Sequence, residues 1–462
     1  MKRIAIKRHY EMDMTEGPLF KKLLLFSVPL MLSGVLQLLY NAADIVVVGR
    51  FAGSTALAAV GSTASLINLL INLFIGLSIG ASVVIARYYG AGQHKDVSQA
   101  VHTAILVAGV AGVVVGIFGF LMSRTLLTMT GTPDDVMDQA VLYLQIYFLG
   151  LPASMTYNFG AAILRAVGDT RRPLYYLTIA GFVNVVLNLI SVIAFGMGVA
   201  GVAIATVVSQ VVSAVLVIIC LCRSHGSIHL RIKDLRIHRD KLLAILHVGL
   251  PAGIQSTVFS ISNVLIQSSV NSFGSAVMAG NAAASNLDSF VNITMNAVSQ
   301  AALSFTGQNM GAKNYRRIGR VVAQCSMLVL GIGLVLGAGM ISVGRTLLGI
   351  YTIDPQVVAY GMIRLEILCG TYFLCGLMDT FASVLRGMGH SMAPMLVTLF
   401  GVCGIRITWL YTVFAAQHTL PELYMSYPVS WLVTLAVHIL CFAVVYKKLR
   451  SAEQRPELAQ NT

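Results

Sequence analysis

LRAVGDTRRP (residues 164–173) returns 221 positions later as LRGMGHSMAP (residues 385–394), each copy set between long apolar stretches. The same offset carries Gly90-Ala91 onto Gly311-Ala312. An offset of 222 carries Pro29 onto Pro251 and Pro133 onto Pro355. Two copies of one six-helix unit explain this spacing. A duplicated, almost wholly apolar chain is the usual sequence form of a secondary transporter with its site between the repeats.

Composition names the solvent. The 462 residues are 57% apolar and only 11% charged, with mean hydropathy +0.81. A soluble domain carries about 25% charged residues, so this chain has too few charges to cover a water-facing surface. A spanning helix needs roughly 20 apolar residues. Cutting at charged or Gly/Pro-rich punctuation gives about twelve such segments, near 21–47, 56–84, 97–122, 137–163, 173–195, 199–221, 242–269, 280–305, 320–342, 357–384, 393–415 and 428–448. Period-two alternation is absent, which argues against a barrel. The expected fold is therefore an all-α integral membrane protein of twelve transmembrane helices in two six-helix bundles. Six is an even number, so both copies insert alike, related by a pseudo-two-fold axis along the membrane normal.

The expected order is an N-terminal segment (1–20), a first bundle (21–221), a basic linker (222–241), a second bundle (242–449) and a polar tail (450–462). Lys and Arg number 31. All but five fall before the first helix, in even-numbered connections or after the last helix. Arg50, Arg124 and Arg345 lie in odd connections; Arg364 and Arg406 lie within helices. The positive-inside rule puts both termini in the cytoplasm. The formal net charge of +13 then reads as topology and attraction to anionic lipid rather than as a nucleic-acid footprint. No cleavable signal peptide is visible. The seven Cys follow neither a zinc nor a disulfide pattern. No ATPase signature or catalytic constellation appears, so the chain is expected to be a transporter driven by an ion gradient, not an enzyme. No cofactor is expected.

Polar stripes inside helices need a neighbour other than lipid. Ser65, Asn68 and Asn72 share one face of the second helix. Ser285, Ser289, Asn292, Asn296 and Gln300 repeat the pattern in the eighth, with Asp288 adjacent, and Gln255, Ser260, Asn263 and Gln267 run along the seventh. Interhelical hydrogen bonds explain any one of these residues; a wet cavity explains them jointly. Asn68, Asn72, Gln255, Asp288, Asn292, Asn296 and Asp379 are the candidate substrate-cavity residues.

Asp44 lies about four residues from the outer end of the first helix. Asn184 and Asn188 are i,i+4 on the fifth, Asn188 about seven residues before its exit. Thr206 is about seven residues into the sixth. At 1.5 Å per residue, Asp44, Asn188 and Thr206 fall within one turn in depth. This oxygen set suits Na⁺, or a protonatable Asp with neutral support. The alternative for Asp44 is a structural hydrogen bond or a partner for Arg50. The second copy does not repeat the set: the counterparts are Leu265 or Ile266, Ile405, Trp409 and Tyr427. It has its own charges, Asp288, Arg364, Glu366, Asp379 and Arg406. A C-lobe ion pair is expected there, with Asp379, Asp288 and Glu366 as possible partners of Arg406. Arg165 and Arg386, in the repeated words, are expected to anchor at the cytoplasmic face.

YNAADIVVVGRFAG (40–53), ARYYGAG (86–92), LRAVGDTRRP and AGVAIATVVSQ (200–210) together resemble the bacterial multidrug and toxic compound extrusion (MATE) family. The likeness covers roughly residues 19–449. It implies export of organic cations or drugs in exchange for Na⁺ or H⁺ by a monomer in the bacterial cytoplasmic membrane, with small-molecule drugs and membrane lipids as partners. Asp44 matches the family's first-helix acid, Asn184 a fifth-helix Asn and Thr206 a sixth-helix Thr. Asn188 sits where several relatives have Asp. Asp379 resembles a tenth-helix acid used by some relatives, whereas their seventh-helix Glu has no match. Two rivals differ in kind. A flippase for a lipid-linked precursor needs a strongly cationic cavity, yet mid-helix Arg364 and Arg406 are balanced by as many acids. A non-transporting receptor leaves the duplication without purpose.

Overall fold

The computed structural model describes residues 10–453, apart from the side chains of Ser54, Ser65 and Ala452. Much of the expected N-terminal segment (1–20) and tail (450–462), and the Ser65 side chain, thus lie outside the described residues. The described chain is helical without strands. Its helices are α1 (Leu19–Ala52), α2 (Ser54–Gly90), α3 (His94–Met129), α4 (Asp134–Ala166), α5 (Arg171–Ala194), α6 (Gly198–Arg223), α7 (Arg239–Asn271), α8 (Ser275–Gly311), α9 (Tyr315–Tyr351), α10 (Pro355–Gly387), α11 (Met392–Gln417) and α12 (Leu420–Glu453).

Ten of these are long and apolar enough to cross a membrane; α4 and α8 are the exceptions. Both sit inside their bundles. α4 packs on α2, α3 and α6, and α8 on α9 and α10. In α8, protein covers Asn281, Asp288, Ser299, Ser304, Gln308 and Asn309, which are buried, so that helix needs fewer apolar residues than one facing lipid all round. Several helices outrun their apolar segments. α2, at 37 residues, is about 55 Å long.

The duplication is visible in the backbone. Gly168 and Gly389, in the two copies of the opening word, both take left-handed φ values of 92° and 90°. A side chain there would be strained, so each word turns the chain between helices. Gly53 and Gly274 match likewise (φ 91° and 94°). In the first copy Asp169 fixes the turn. Its Oδ1 accepts the Arg171 and Arg172 N–H groups, each at 3.1 Å, and Oδ2 pairs with the Arg172 guanidinium. The burial of Asp169 raises its pKa against the pull of Arg172.

The chain divides into two compact units. One comprises residues 10–14 and 28–249 of the described chain, the other 15–27 and 250–453. The two breaks that fall within helices each lie beside a proline, Pro29 in α1 and Pro251 in α7. Such prolines remove a helical hydrogen bond and kink the rod. In the first unit the start of α7 is bound firmly: Lys241 pairs with Asp96 (2.6 Å) and lies over the Tyr88 ring (4.3 Å). In the second, the Arg317 guanidinium donates to Glu16 O (2.8 Å) and Gly17 O (3.0 Å), and Phe26 meets Phe305 edge-on.

Each unit also contains a close helix crossing at matching positions. A Cβ on Gly112 of α3 would lie 2.5 Å from Pro152 Cα of α4, and one on Gly116 would lie 2.8 Å from Phe148 O. Their counterparts 221 residues on, Gly333 and Gly337 of α9, press against Phe373 and Cys369 of α10. Small residues four apart let two backbones approach where apolar burial supplies no drive. Gly112→Val is expected to cost about 1–3 kcal/mol by overpacking, read as a lower unfolding midpoint in detergent. Gly109→Val, on the same helix with nothing within 4 Å of its Cβ, should leave the midpoint nearly unchanged.

Candidate functional site

The expected cation set lies inside the first unit. Tyr40 of α1 donates to Thr178 O of α5 (3.3 Å), and its ring fills the groove left by Gly181. One turn further on, Asp44 faces α5. Asn188 Nδ2 donates to Asp44 Oδ1 at 2.5 Å and to Asn184 Oδ1 at 3.3 Å. Asn184 and Asn188 are 5% and 1% exposed; Asp44 is half-buried. Asn188 Oδ1 is buried and has no hydrogen-bond partner. Just beyond these residues both helices widen into π turns, Val48–Ala52 and Ile190–Ala194. Such turns re-aim side chains and cluster at functional sites.

The structure thus brings Asp44, Asn184 and Asn188 together. Thr206 is half-buried on α6, with its hydroxyl donating to Val202 O of its own helix (3.0 Å). The cluster offers a carboxylate and two amide oxygens. Turning the Asn188 amide by half a rotation would present its Oδ1 in place of its NH₂. The site then has hard oxygen donors for a small cation, or a carboxylate that a proton can neutralise.

The second unit uses the corresponding three helices with opposite charge. Arg406 of α11 donates through Nε to Ser430 Oγ of α12 (3.1 Å) and through Nη1 to Asn263 Oδ1 of α7 (2.9 Å). Its guanidinium lies 4.2 Å from the Tyr427 ring centroid and 5.2 Å from that of Phe259. This corrects the expected pairing of Arg406 with Glu366. Glu366 is exposed on α10 while Arg406 is 1% exposed. Aromatic faces and neutral oxygens hold the guanidinium instead.

The C-lobe ion pair is Arg364–Asp288. Arg364 Nη2 and Nε reach Asp288 Oδ2 at 2.8 and 2.9 Å, and Nη1 donates to Asn281 Oδ1 at 2.8 Å. Tyr424 donates to the same Asn281 oxygen (2.9 Å) and Tyr372 to Asp288 Oδ1 (3.4 Å). Asp288 is therefore corrected as a substrate-cavity residue: it is 3% exposed and its charge is met within the unit. Asn281 is absent from the stripes singled out in the sequence, although Asn281, Ser285 and Asp288 stand at helical spacing on one face. Gln255 is also corrected. It is 7% exposed, accepting from Arg386 Nη2 (2.7 Å) and donating to Thr398 Oγ1 (2.8 Å). Arg386 accordingly turns inward toward α7 rather than anchoring at a membrane face. Of the remaining cavity candidates, Asn68 and Asn296 are exposed, and Asn72, Asn292 and Asp379 are half-buried.

Removing one member of a buried pair strands the other, at about 3–5 kcal/mol, whereas replacing both by apolar groups is often neutral. Asp288→Ala should sharply lower the unfolding midpoint in detergent, and Arg364→Met with Asp288→Leu should recover most of it. Equal losses would show that the pair's charge is not what matters.

Comparison with known proteins agrees with this architecture. The MatE family model matches residues 29–190 and 251–412, one match in each repeat. The chain is 28% identical over 407 residues to a probable multidrug resistance protein, YpnP of Bacillus subtilis, covering 88% of this chain and 91% of that one. It is 23% identical to a protein named FAD transporter of Shewanella oneidensis, covering 83% and 85%. A solved structure described as the outward-facing conformation of a multidrug resistance MATE family transporter superposes with TM-score 0.88 at 23% identity, covering 95% of this chain and 98% of that one. With the family model matched in both repeats of an all-helical, multi-pass chain, the protein belongs to the MatE family of membrane transporters.

Proposed function

We propose that the protein is a cation-coupled antiporter. It exports amphipathic, often cationic organic compounds across the bacterial cytoplasmic membrane in exchange for Na⁺ or H⁺, with both termini inside. One observation carries the reading: Asp44, within a membrane-spanning helix, is met by a neutral amide whose own oxygen is left without a partner. An amide NH₂ can satisfy a carboxylate oxygen but cannot cancel its charge. A cation is the complement this site lacks. Relatives named as multidrug resistance proteins support drugs as substrates, and the exposed Asn68 and Asn296 suit dispersed polar contacts with varied ligands.

In the proposed cycle, substrate is taken up from the inward-facing state and released outward. A cation then neutralises Asp44, removing the acceptor that holds the Asn188 amide and loosening the tie between α1 and α5. Substrate affinity falls as cation affinity rises, as linkage requires. Pro29 and Pro251, beside the unit boundaries, are the positions where α1 and α7 can bend.

Asp44→Asn keeps size and hydrogen-bonding capacity but removes the charge. Gradient-driven ethidium efflux should fall at least tenfold, to the background of protein-free vesicles, while the variant inserts at wild-type levels. Full activity in Asp44→Asn would reject the coupling role.

A further inference from the structure

A cavity of about 610 Å³ lies within the first unit, between the first turns of α3 and the segment joining the repeats. That segment is fixed in place. Ile228 and Leu230 are buried in the unit's core, and Leu230 N–H donates to Leu221 O (3.1 Å). His102 of α3, 4% exposed, bonds Ser98 O through Nδ1 (2.7 Å) and accepts the Arg231 N–H through Nε2 (3.1 Å). Those partners assign the proton to Nδ1. Thr103 Oγ1 accepts the His238 N–H (3.1 Å). Residues 231 and 238 are thereby pinned to α3, and the chain between them forms a strap over the cavity.

The strap is basic. Arg231, Lys233 and Arg236 line the cavity with Ser98, Gln99 and His229. Its one lining carboxylate, Asp234, lies 3.8 Å from Arg231 Nη1. Lys233 and Arg236 have no carboxylate partner among the described residues. His229 Nδ1 is buried and unpartnered. Ile232 and Ile237 of the same strap are 68% and 40% exposed. Basic side chains interleaved with exposed apolar ones suit the interface of an anionic membrane.

We propose that this cavity binds an anionic phosphate ester or free phosphate, with Lys233 and Arg236 as its cationic contacts and Gln99 and His229 as further hydrogen-bonding ones. A phosphoryl group presents several strong acceptors at once, which matches donors arriving from both the strap and α3. The exposed isoleucines favour the headgroup of an anionic phospholipid as the source. That source rests on the cytoplasmic placement of this face proposed above; the binding chemistry does not.

The full chain, purified in an uncharged detergent at fixed ionic strength, is titrated with dihexanoyl phosphatidylglycerol, dihexanoyl phosphatidylcholine or sodium phosphate while its unfolding midpoint is recorded. The wild type should show a saturable rise with phosphatidylglycerol and none with phosphatidylcholine. The Lys233→Gln/Arg236→Gln variant, at an unchanged starting midpoint, should need about tenfold more ligand. Arg236→Gln alone should fall between the two. A rise with sodium phosphate identifies a soluble anion as sufficient, and a rise with phosphatidylglycerol alone identifies the headgroup; both support the site. No saturable rise, an equal response to phosphatidylcholine, or identical titrations of wild type and variant would overturn it. Asp44→Asn should titrate like wild type, so failure here is separable from failure of the antiport reading.

Discussion

A carboxylate within a membrane-spanning helix must find a complement, and much of this structure answers that demand. In the first unit the complement of Asp44 is the Asn188 amide, which satisfies one oxygen and leaves the charge standing. In the second unit, Asp288 is closed off by Arg364 and Tyr372. A permanent ion pair holds shape, whereas a carboxylate matched only by an amide can exchange its complement. The second unit's pair is a brace; in the proposed function, the first unit's site is a switch.

Duplication makes that contrast sharper. The turns at Gly168 and Gly389 share their φ values, and the crossings at Gly112 and Gly333 share their position in the repeat. Helix geometry is thus held in common while the polar contents diverge. In the first unit α1 and α5 assemble an acid with amides, and α6 carries Thr206 nearby in sequence depth. The matching α7, α11 and α12 assemble a guanidinium with Asn263, Ser430 and Tyr427. The second unit therefore carries a covalently attached cation where the proposed function gives the first an exchangeable one. This explains physically why one copy alone would serve ion coupling.

The repeat, the helical class and the grouping of Asp44 with Asn184 and Asn188 are legible in the sequence, because each depends on spacing along a regular helix. Spacing also gives the depth of Thr206, but depth does not fix direction, and its hydroxyl turns to Val202 O. The surroundings of Arg406 are not legible, because they come from both the neighbouring α12 and α7, whose Asn263 lies 143 residues away, and aromatic faces can replace a carboxylate. Gln255 and Asp288 look like cavity residues because a polar stripe says that a helix face avoids lipid, not whether water or another helix meets it. The π turns after Asp44 and Asn188 leave no periodic signature in chains this apolar.

The most direct measurement is substrate efflux from proteoliposomes under a Na⁺ gradient and a pH gradient imposed separately, with wild type and Asp44→Asn compared in each. If Asp44 is where the driving cation acts, one gradient drives efflux in the wild type and neither does so in the variant. Efflux that is equal in both proteins, or that ignores both gradients in the wild type, would contradict it.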